Sequence, residues 1–155
     1  MLSKKTKYAL KALIYLAKSN EKEPVLIVDI AEKERIPRKF LETILLELRN
    51  HGYLGSKKGK GGGYYMKKDP ATIRVVDLIR IMNGPIAYLP CVSLNFYEKC
   101  EECIDEKICG IRDVFIELRD KTLQILSENT LADLIRREDR LLNLEEEGGG
   151  DLALL

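Results

Sequence analysis

The chain has 155 residues, of which 45% are apolar and 33% are charged. This length corresponds to about one globular domain, so a large multi-domain machine is excluded, and the apolar fraction excludes a wholly disordered chain. No apolar run reaches the ~18 residues that a membrane span needs, and the stretch from Met1 to Lys7 lacks a secretory signal. We therefore expect a cytoplasmic protein with no membrane partner.

The formal net charge of +1 hides a division along the chain. Residues 1–68 carry 16 Lys and Arg against 7 Asp and Glu, a net charge of +9, whereas residues 69–155 carry 10 against 18, a net charge of −8. A basic half next to an acidic half indicates that one end meets a polyanion while the other serves another purpose.

Two helices are predicted at the start of the chain. Residues 3–19 form an amphipathic helix, and its apolar side consists of Leu10, Leu13, Ile14 and Ala17. Residues 28–35 form a short second helix, which Ile36-Pro37 ends. Pro37 suits the first turn of a following helix, because its missing N–H would be unpaired there in any case.

A third helix is predicted over residues 37–50, ended by Gly52. Its apolar side consists of Phe40, Leu41, Ile44, Leu45 and Leu48, and its polar side of Arg38, Lys39, Glu42 and Arg49. A short helix, a tight turn and a longer helix with a polar outer face are typical of a helix-turn-helix DNA reader.

The next segment predicts a wing. Two short strands, residues 53–56 and 64–67, flank a glycine-rich tip that carries Lys57, Lys58 and Lys60. Such a tip can lie close to a sugar-phosphate backbone, because glycine leaves main-chain N–H groups unshielded and lysine supplies positive charge. The combined pattern predicts a mainly α, winged helix-turn-helix fold.

The C-terminal half predicts three more helices. Residues 75–83 form a helix that Gly84-Pro85 ends, and residues 131–142 form the last one, before a disordered tail over 143–155. Between them, a long helix over about 110–127 carries a stripe close to a coiled-coil seam, Ile111, Val114, Leu118, Thr122 and Ile125. We expect this stripe to pair with a second copy of the chain, or alternatively to dock within one monomer.

All four cysteines, Cys91, Cys100, Cys103 and Cys109, lie in one acidic stretch with the spacing C-x8-C-x2-C-x5-C. Structural zinc usually uses two close pairs of ligands, and only Cys100 and Cys103 form one here. An iron–sulfur cluster tolerates uneven spacing because its ligands surround a larger inorganic core. The spacing therefore favours iron–sulfur, with zinc and free thiols as alternatives.

A redox enzyme or electron carrier is a less favoured alternative, and we expect no enzyme. The chain has one histidine, His51, at a predicted helix end, and no Ser/His/Asp set or dinucleotide fingerprint appears.

These motifs together resemble the IscR/NsrR/CymR-type family of bacterial winged-helix transcription regulators over residues 1 to about 135. The wing motif Lys60-Gly61-Gly62-Gly63-Tyr64 is the most specific feature. The other matching motifs are Lys7-Tyr8-Ala9-Leu10, Ile30-Ala31, Ile36-Pro37, Phe40-Leu41-Glu42, Leu48-Arg49-Asn50-His51-Gly52-Tyr53-Leu54 and Thr130-Leu131-Ala132-Asp133-Leu134.

The resemblance implies specific ligands. Cluster-binding members of this family carry three cysteines before a long dimerisation helix, and Cys91, Cys103 and Cys109 match them. Some members place a histidine where this chain has Arg112, and others an aspartate where it has Lys7. Cys100 is the extra cysteine and the expected fourth ligand.

The sequence thus predicts a homodimeric transcription regulator, a repressor or an activator, that senses iron–sulfur status, redox state or nitric oxide. We expect a DNA-binding domain over 1–83, a cysteine-rich loop over 84–109, and a dimerisation segment over 110–142 that pairs through Ile111, Val114, Leu118 and Ile125. The predicted phosphate contacts are Lys4, Lys57, Lys58, Lys60 and the wing residues Gly61, Gly62, Gly63 and Tyr64. The predicted base-reading residues are Arg38, Lys39, Glu42 and Arg49.

Overall fold

Helices dominate the part of the chain, residues 2–19 and 23–147, that the computed structural model describes. They are α1 (Lys4–Lys18), α2 (Ile27–Glu34), α3 (Arg38–Asn50), α4 (Val75–Asn83), α5 (Gly110–Glu128) and α6 (Leu131–Glu147). The strands β1 (Leu54–Lys57) and β2 (Gly63–Met66) form a hairpin after α3. This order confirms the predicted mainly α, winged helix-turn-helix fold. Within these ranges, no helix is long and apolar enough to cross a bilayer.

The turn between α2 and α3 depends on one left-handed residue. Arg35 ends α2 with a φ of 52°, and the N–H of Ile36 then donates to the carbonyl of Ala31 at 2.9 Å. Ile36 is buried and anchors the turn in the core. Pro37 immediately precedes α3, so this helix begins one residue later than predicted.

The core lies where α1 crosses α3 and α4. The buried face of α1 consists of Thr6, Ala9, Ala12, Leu13 and Leu16, whereas Leu10, Ile14 and Ala17 are only half-buried. The buried face of α1 is therefore rotated by about one residue relative to the face that the sequence predicts. The two alanines explain the difference, because small side chains at the contact let neighbouring helices approach closely. From α3, the residues Leu41, Ile44, Leu45 and Leu48 are buried as predicted.

Phe40 departs from the predicted apolar side of α3. It is 40% exposed and packs edge-on against Tyr8 of α1, with ring centroids 5.7 Å apart and an interplanar angle of 82°. Phe40 therefore lies at the boundary between the core and the outer face of α3.

The hairpin pairs Leu54 with Met66 and Lys57 with Gly63 in antiparallel register, so β1 begins one residue later and β2 one residue earlier than predicted. The segment before α2 adds a further bridge, in which Val25 and Tyr64 exchange backbone hydrogen bonds of 2.8 and 2.9 Å. Gly63 lies against this bridge with a φ of 147°, and a Cβ there would collide with the carbonyl oxygen of Val25.

Replacing Gly63 with alanine is expected to lower the free energy of unfolding by about 2–3 kcal/mol, because it adds this collision to an unfavourable φ. Gly59→Ala is the matched control, since Gly59 has a φ of 91° in the same hairpin but nothing within 4 Å of its Cβ position. The control should lose only about 1 kcal/mol. Urea denaturation of both variants measures the difference, and equal losses would rule out the collision.

The last helix returns to the N-terminal core. Thr130 and Asp133 form a capping box, in which the Thr130 N–H and hydroxyl donate to the Asp133 carboxylate and hold its pKa at about 2. Leu131 is fully buried in the same core as α1 and α3. Lys18 of α1 also pairs with Glu138 and Asp139 of α6, at 3.0 and 2.7 Å.

The prediction that α6 ends at Leu142 was wrong, because the helix continues to Glu147. Residues 143–147 are thus helical rather than part of a disordered tail. Their leucine and glutamates favour a helix, and the first glycine comes only at Gly148. The rest of the predicted tail, 148–155, lies outside the described residues.

Candidate functional site

The outer face of α3 carries the predicted base-reading residues. Arg38, Lys39, Glu42 and Arg49 are all exposed. The Nε of Arg38 lies 3.3 Å from Oε1 of Glu42, and the two side chains are 62% and 51% exposed. Such an exposed pair is weak, so it leaves both groups able to rearrange against another surface. Leu46, which the sequence analysis did not select, lies one turn after Glu42 and is 43% exposed.

Arg49 joins α3 to the wing. Its Nη1 donates to Oγ of Ser56 in β1 at 3.3 Å. The sequence does not show this contact, because it depends on where Ser56 lies in the hairpin register.

The wing presents its three lysines to solvent, whereas two of its predicted phosphate-binding amides are already used. Lys57, Lys58 and Lys60 are exposed. The N–H of Gly62 donates to the carbonyl of Gly59, and the N–H of Tyr64 donates to that of Val25, both at 2.9 Å. Both amides therefore stabilise the hairpin itself, and phosphate contact at Gly62 and Tyr64 stays a prediction. The Tyr64 side chain packs on the core.

The four cysteines line one cavity of about 350 Å³ between the cysteine segment and the start of α5. Cys91 is buried in a short 3-10 turn, Pro90–Val92, and Cys109 immediately precedes α5. Cys103 is half-buried and Cys100 is exposed on the connecting loop. Cys91 and Cys109 thus border the same cavity, although they are 18 positions apart in the sequence.

Cys109 and Cys103 have different electrostatic environments. The Sγ of Cys109 accepts the N–H of Arg112 at 3.4 Å, and this bond is the main cause that lowers the pKa of the Cys109 thiol. Burial is the main cause that raises the pKa of Cys103, followed by the proximity of the Cys109 thiol. The thiol at the helix start is therefore favoured as the anion, whereas the Cys103 thiol is favoured in its protonated form.

The four thiols around the cavity are soft donors of the kind that hold iron–sulfur clusters. Among residues 2–19 and 23–147, no three Cys, His, Asp or Glu side chains lie close enough together to hold one metal ion. Tetrahedral zinc needs four ligands within about 2.3 Å of one point. Four thiols around a common cavity fit the donor chemistry of an iron–sulfur cluster, whose ligands surround several atoms.

Two arginines of α5, which the sequence analysis did not select as site residues, attach the wall of this cavity to the helix. The Nε of Arg112 donates to the carbonyl of Cys91 at 3.3 Å, and Nη1 of Arg119 donates to the carbonyl of Val92 at 2.5 Å. Their spacing of seven residues places both on one helix face, but nothing in the sequence identifies their carbonyl partners.

The predicted dimerisation stripe is exposed. Ile111, Val114 and Ile125 are 66%, 62% and 61% exposed, and Leu118 is 40% exposed. The stripe is thus not docked within the described part of the chain, while the opposite face of α5 contacts α4 and the Pro90–Val92 turn.

Comparison with known proteins is consistent with this architecture. Residues 2–137 match the family Rrf2, described as iron-dependent transcriptional regulator. An rrf2-like HTH-type transcriptional regulator of Rhodobacter capsulatus is 39% identical over 150 residues, which cover 95% of this chain and 100% of that protein. The HTH-type transcriptional regulator NsrR of Bacillus licheniformis is 32% identical and covers 92% of this chain and 97% of its own.

Solved structures agree with the sequence relatives. CymR, the global cysteine regulator of B. subtilis, has a TM-score of 0.73 at 31% identity and covers 88% of this chain and 97% of its own. IscR of T. potens has a TM-score of 0.69 at 25% identity, over 89% and 88% of the two chains. The resemblance indicated by the helix-turn-helix and wing motifs is confirmed, and the chain belongs to the Rrf2 family of transcriptional regulators.

Proposed function

We propose that this Rrf2-family regulator is a homodimer that binds operator DNA and senses iron–sulfur status, redox state or nitric oxide through an iron–sulfur cluster in the cysteine cavity. The observation that carries the proposal is that all four cysteines line one cavity at the start of the long helix α5. Cys91, Cys103, Cys109 and Cys100 would hold the cluster. When bound, the cluster would be the reactive group of the site, because its oxidation, nitrosylation or loss would change the charge and the bonding of the cavity thiols.

The residues around the cavity offer a route from the thiols to the DNA-binding helices. Arg112 and Arg119 join the Cys91–Val92 backbone to α5. Helix α5 packs on α4, which packs on α1. A shift of the cavity wall would therefore move α5 relative to the winged helix. In a dimer built on α5, this movement would change the separation of two recognition helices that must match half-sites about one helical turn apart.

The test is the iron and acid-labile sulfide content of protein purified without oxygen. The proposal expects both elements together with a visible absorbance. Protein that contains zinc and no iron would indicate that the metal in this loop has a structural role. Iron and sulfide at background level in the anaerobic, reconstituted protein would contradict the proposed cofactor.

A thiol switch is the second candidate, and the shared cavity of Cys103 and Cys109 favours it. In a cluster-free protein a hydroperoxide could oxidise this pair. The two thiols would lose two protons and two electrons to form a disulfide, and the peroxide would be reduced to water and the alcohol. A disulfide that forms reversibly and changes DNA affinity without iron would support this function over the first.

If the wing lysines contact phosphate, the affinity for DNA should depend on the salt concentration in a predictable way. Replacing Lys57, Lys58 and Lys60 with alanine should weaken binding to all DNA sequences alike and reduce the slope of log affinity against log salt by about 0.9 for each lost contact. Fluorescence anisotropy at several salt concentrations measures the slope.

Arg38→Ala or Glu42→Ala is the comparison for these wing variants and should instead change which bases are preferred. An unchanged slope in the triple-lysine variant would mean that these lysines do not contact phosphate. An unchanged base preference would remove Arg38 and Glu42 from the reading face.

A further inference from the structure

Arg112 contacts two of the four cysteines that line the cavity, Cys91 and Cys109. Its backbone N–H donates to the Sγ of Cys109 at 3.4 Å, and its guanidinium Nε donates to the carbonyl of Cys91 at 3.3 Å. The same residue also lines the cavity. One residue in the first turn of α5 therefore touches the two cysteines that are most distant in sequence.

The other two thiols are held differently. Cys100 and Cys103 lie on a loop that the hydroxyl of Tyr97 closes by donating to the Glu106 carboxylate at 2.8 and 2.7 Å. Cys100 is exposed, and the loop lies at the protein surface. On one side of the cavity, Cys91 and Cys109 are thus attached to α5 through Arg112. On the other side, Cys100 and Cys103 lie on a surface loop.

We propose that Arg112 is a positioning residue for the cysteine cavity: it fixes the Cys91 segment against α5 and places a permanent positive charge beside the thiols. The second part rests on the proposed function, because the charge matters most when thiolates surround a cluster. A guanidinium stays protonated under all ordinary conditions and donates from several N–H groups in a fixed plane, so it can hold a carbonyl and balance negative charge at once.

The charges around the cavity make this role specific to Arg112. Glu98, Lys99 and Glu106 also line the cavity, and they belong to the surface loop. Glu106 already accepts the Tyr97 hydroxyl. Arg112 is the cavity-lining cation that belongs to α5, so a change in the cavity's charge acts directly on the first turn of this helix.

Arg119 provides a matched control within the same helix. It holds the carbonyl of Val92, one residue after Cys91, and its side chain is 11% exposed. It is not among the residues that line the cavity. Loss of Arg119 should loosen the Cys91 segment without removing a charge from beside the thiols.

The first measurement does not require a cluster. In a background where Cys100, Cys103 and Cys109 are serine, the buried Cys91 is the remaining thiol, and its reaction rate with a thiol reagent reports how often its segment opens. Arg112→Gln should raise this rate about tenfold, the factor expected for loss of roughly one charge-assisted hydrogen bond. Arg119→Gln should raise it to a similar extent. An Arg112→Gln rate equal to that of the parent would overturn the positioning role.

The second measurement uses the four-cysteine protein reconstituted with iron and sulfide. Arg112→Gln should shift the midpoint reduction potential to more negative values, because adding an electron is less favourable without the nearby positive charge. Arg112→Lys should restore most of the potential, and Arg119→Gln should leave it unchanged. A potential that moves equally in both glutamine variants would overturn the charge role. Failure of the parent protein to bind iron and sulfide would count against the proposed function, while the Cys91 rate would still decide whether Arg112 positions this segment.

Discussion

Alanine at Cys91, Cys103 or Cys109 is expected to abolish the visible absorbance of the anaerobically purified protein and to reduce its iron and sulfide to background. Each of these thiols borders the common cavity, and a cluster that lacks one thiolate is open to solvent, oxidation and loss. Elemental analysis and absorbance spectra of the three variants measure the effect. Retention of full iron and sulfide after loss of Cys103 or Cys109 would contradict the cluster assignment.

Cys100 distinguishes two versions of the site. If it supplies the fourth ligand, Cys100→Ala should be as damaging as the other substitutions. If the fourth ligand comes from elsewhere, such as the Glu102 carboxylate or a residue of a second copy, the variant should keep its cluster with a modest spectral change. The exposure of Cys100 makes it the thiol whose removal disturbs packing least.

Ser93→Ala serves as the control for all of these variants. Ser93 is buried two residues after Cys91, and its Oγ accepts the N–H of Phe96 at 3.1 Å. The substitution therefore perturbs the same segment but leaves every thiol in place. The control should keep its iron and sulfide, and parallel loss in Ser93→Ala would show that any disturbance of the segment releases the metal.

Local patterns were sufficient to predict most of the helices. Helix α4 has the predicted bounds because Gly84-Pro85 ends it, and the buried residues of α3 follow from their helical spacing. The face of α1 was harder to predict, because the alanines that carry its packing rank low in hydrophobicity and their burial depends on where α3 and α4 cross. Helix α6 was predicted too short because residues 143–146 are exposed and only Leu144 among them is apolar, so the apolar pattern is weak there.

The candidate site shows the same limit more strongly. The four cysteines are neighbours in the sequence, but their common cavity depends on the turn at Cys91 meeting the start of α5. The contacts of Arg112 and Arg119 with main-chain carbonyls have no sequence signature, because a carbonyl belongs to every residue. The internal hydrogen bond of Tyr64 was missed because it pairs β2 with Val25, which lies far away in sequence. The bond from Gly62 to Gly59 is local, and it depends on the exact turn at the hairpin tip.

Leu118→Glu is expected to convert the proposed dimer into monomers. The stripe of Ile111, Val114, Leu118 and Ile125 leaves large apolar side chains 40% to 66% exposed on one face of α5. In a two-fold symmetric dimer, the stripe of one copy would be buried against the stripe of the other, and this symmetry would also match a palindromic operator. Glutamate at the centre of that contact would bring two unpaired carboxylates together in a desolvated seam.

The expected result is a dimer dissociation constant raised by about a hundredfold or more, the factor that corresponds to roughly 2.8 kcal/mol. Sedimentation velocity across a concentration series measures it, and binding to a full operator should weaken far more than binding to a half-site. Gln124→Glu is the control, because it adds the same charge to an exposed position of α5 away from the stripe. A Leu118→Glu protein that stays dimeric at the wild-type concentration range would mean that the two copies meet through another surface, and the exposed face of α5 would then need a different occupant.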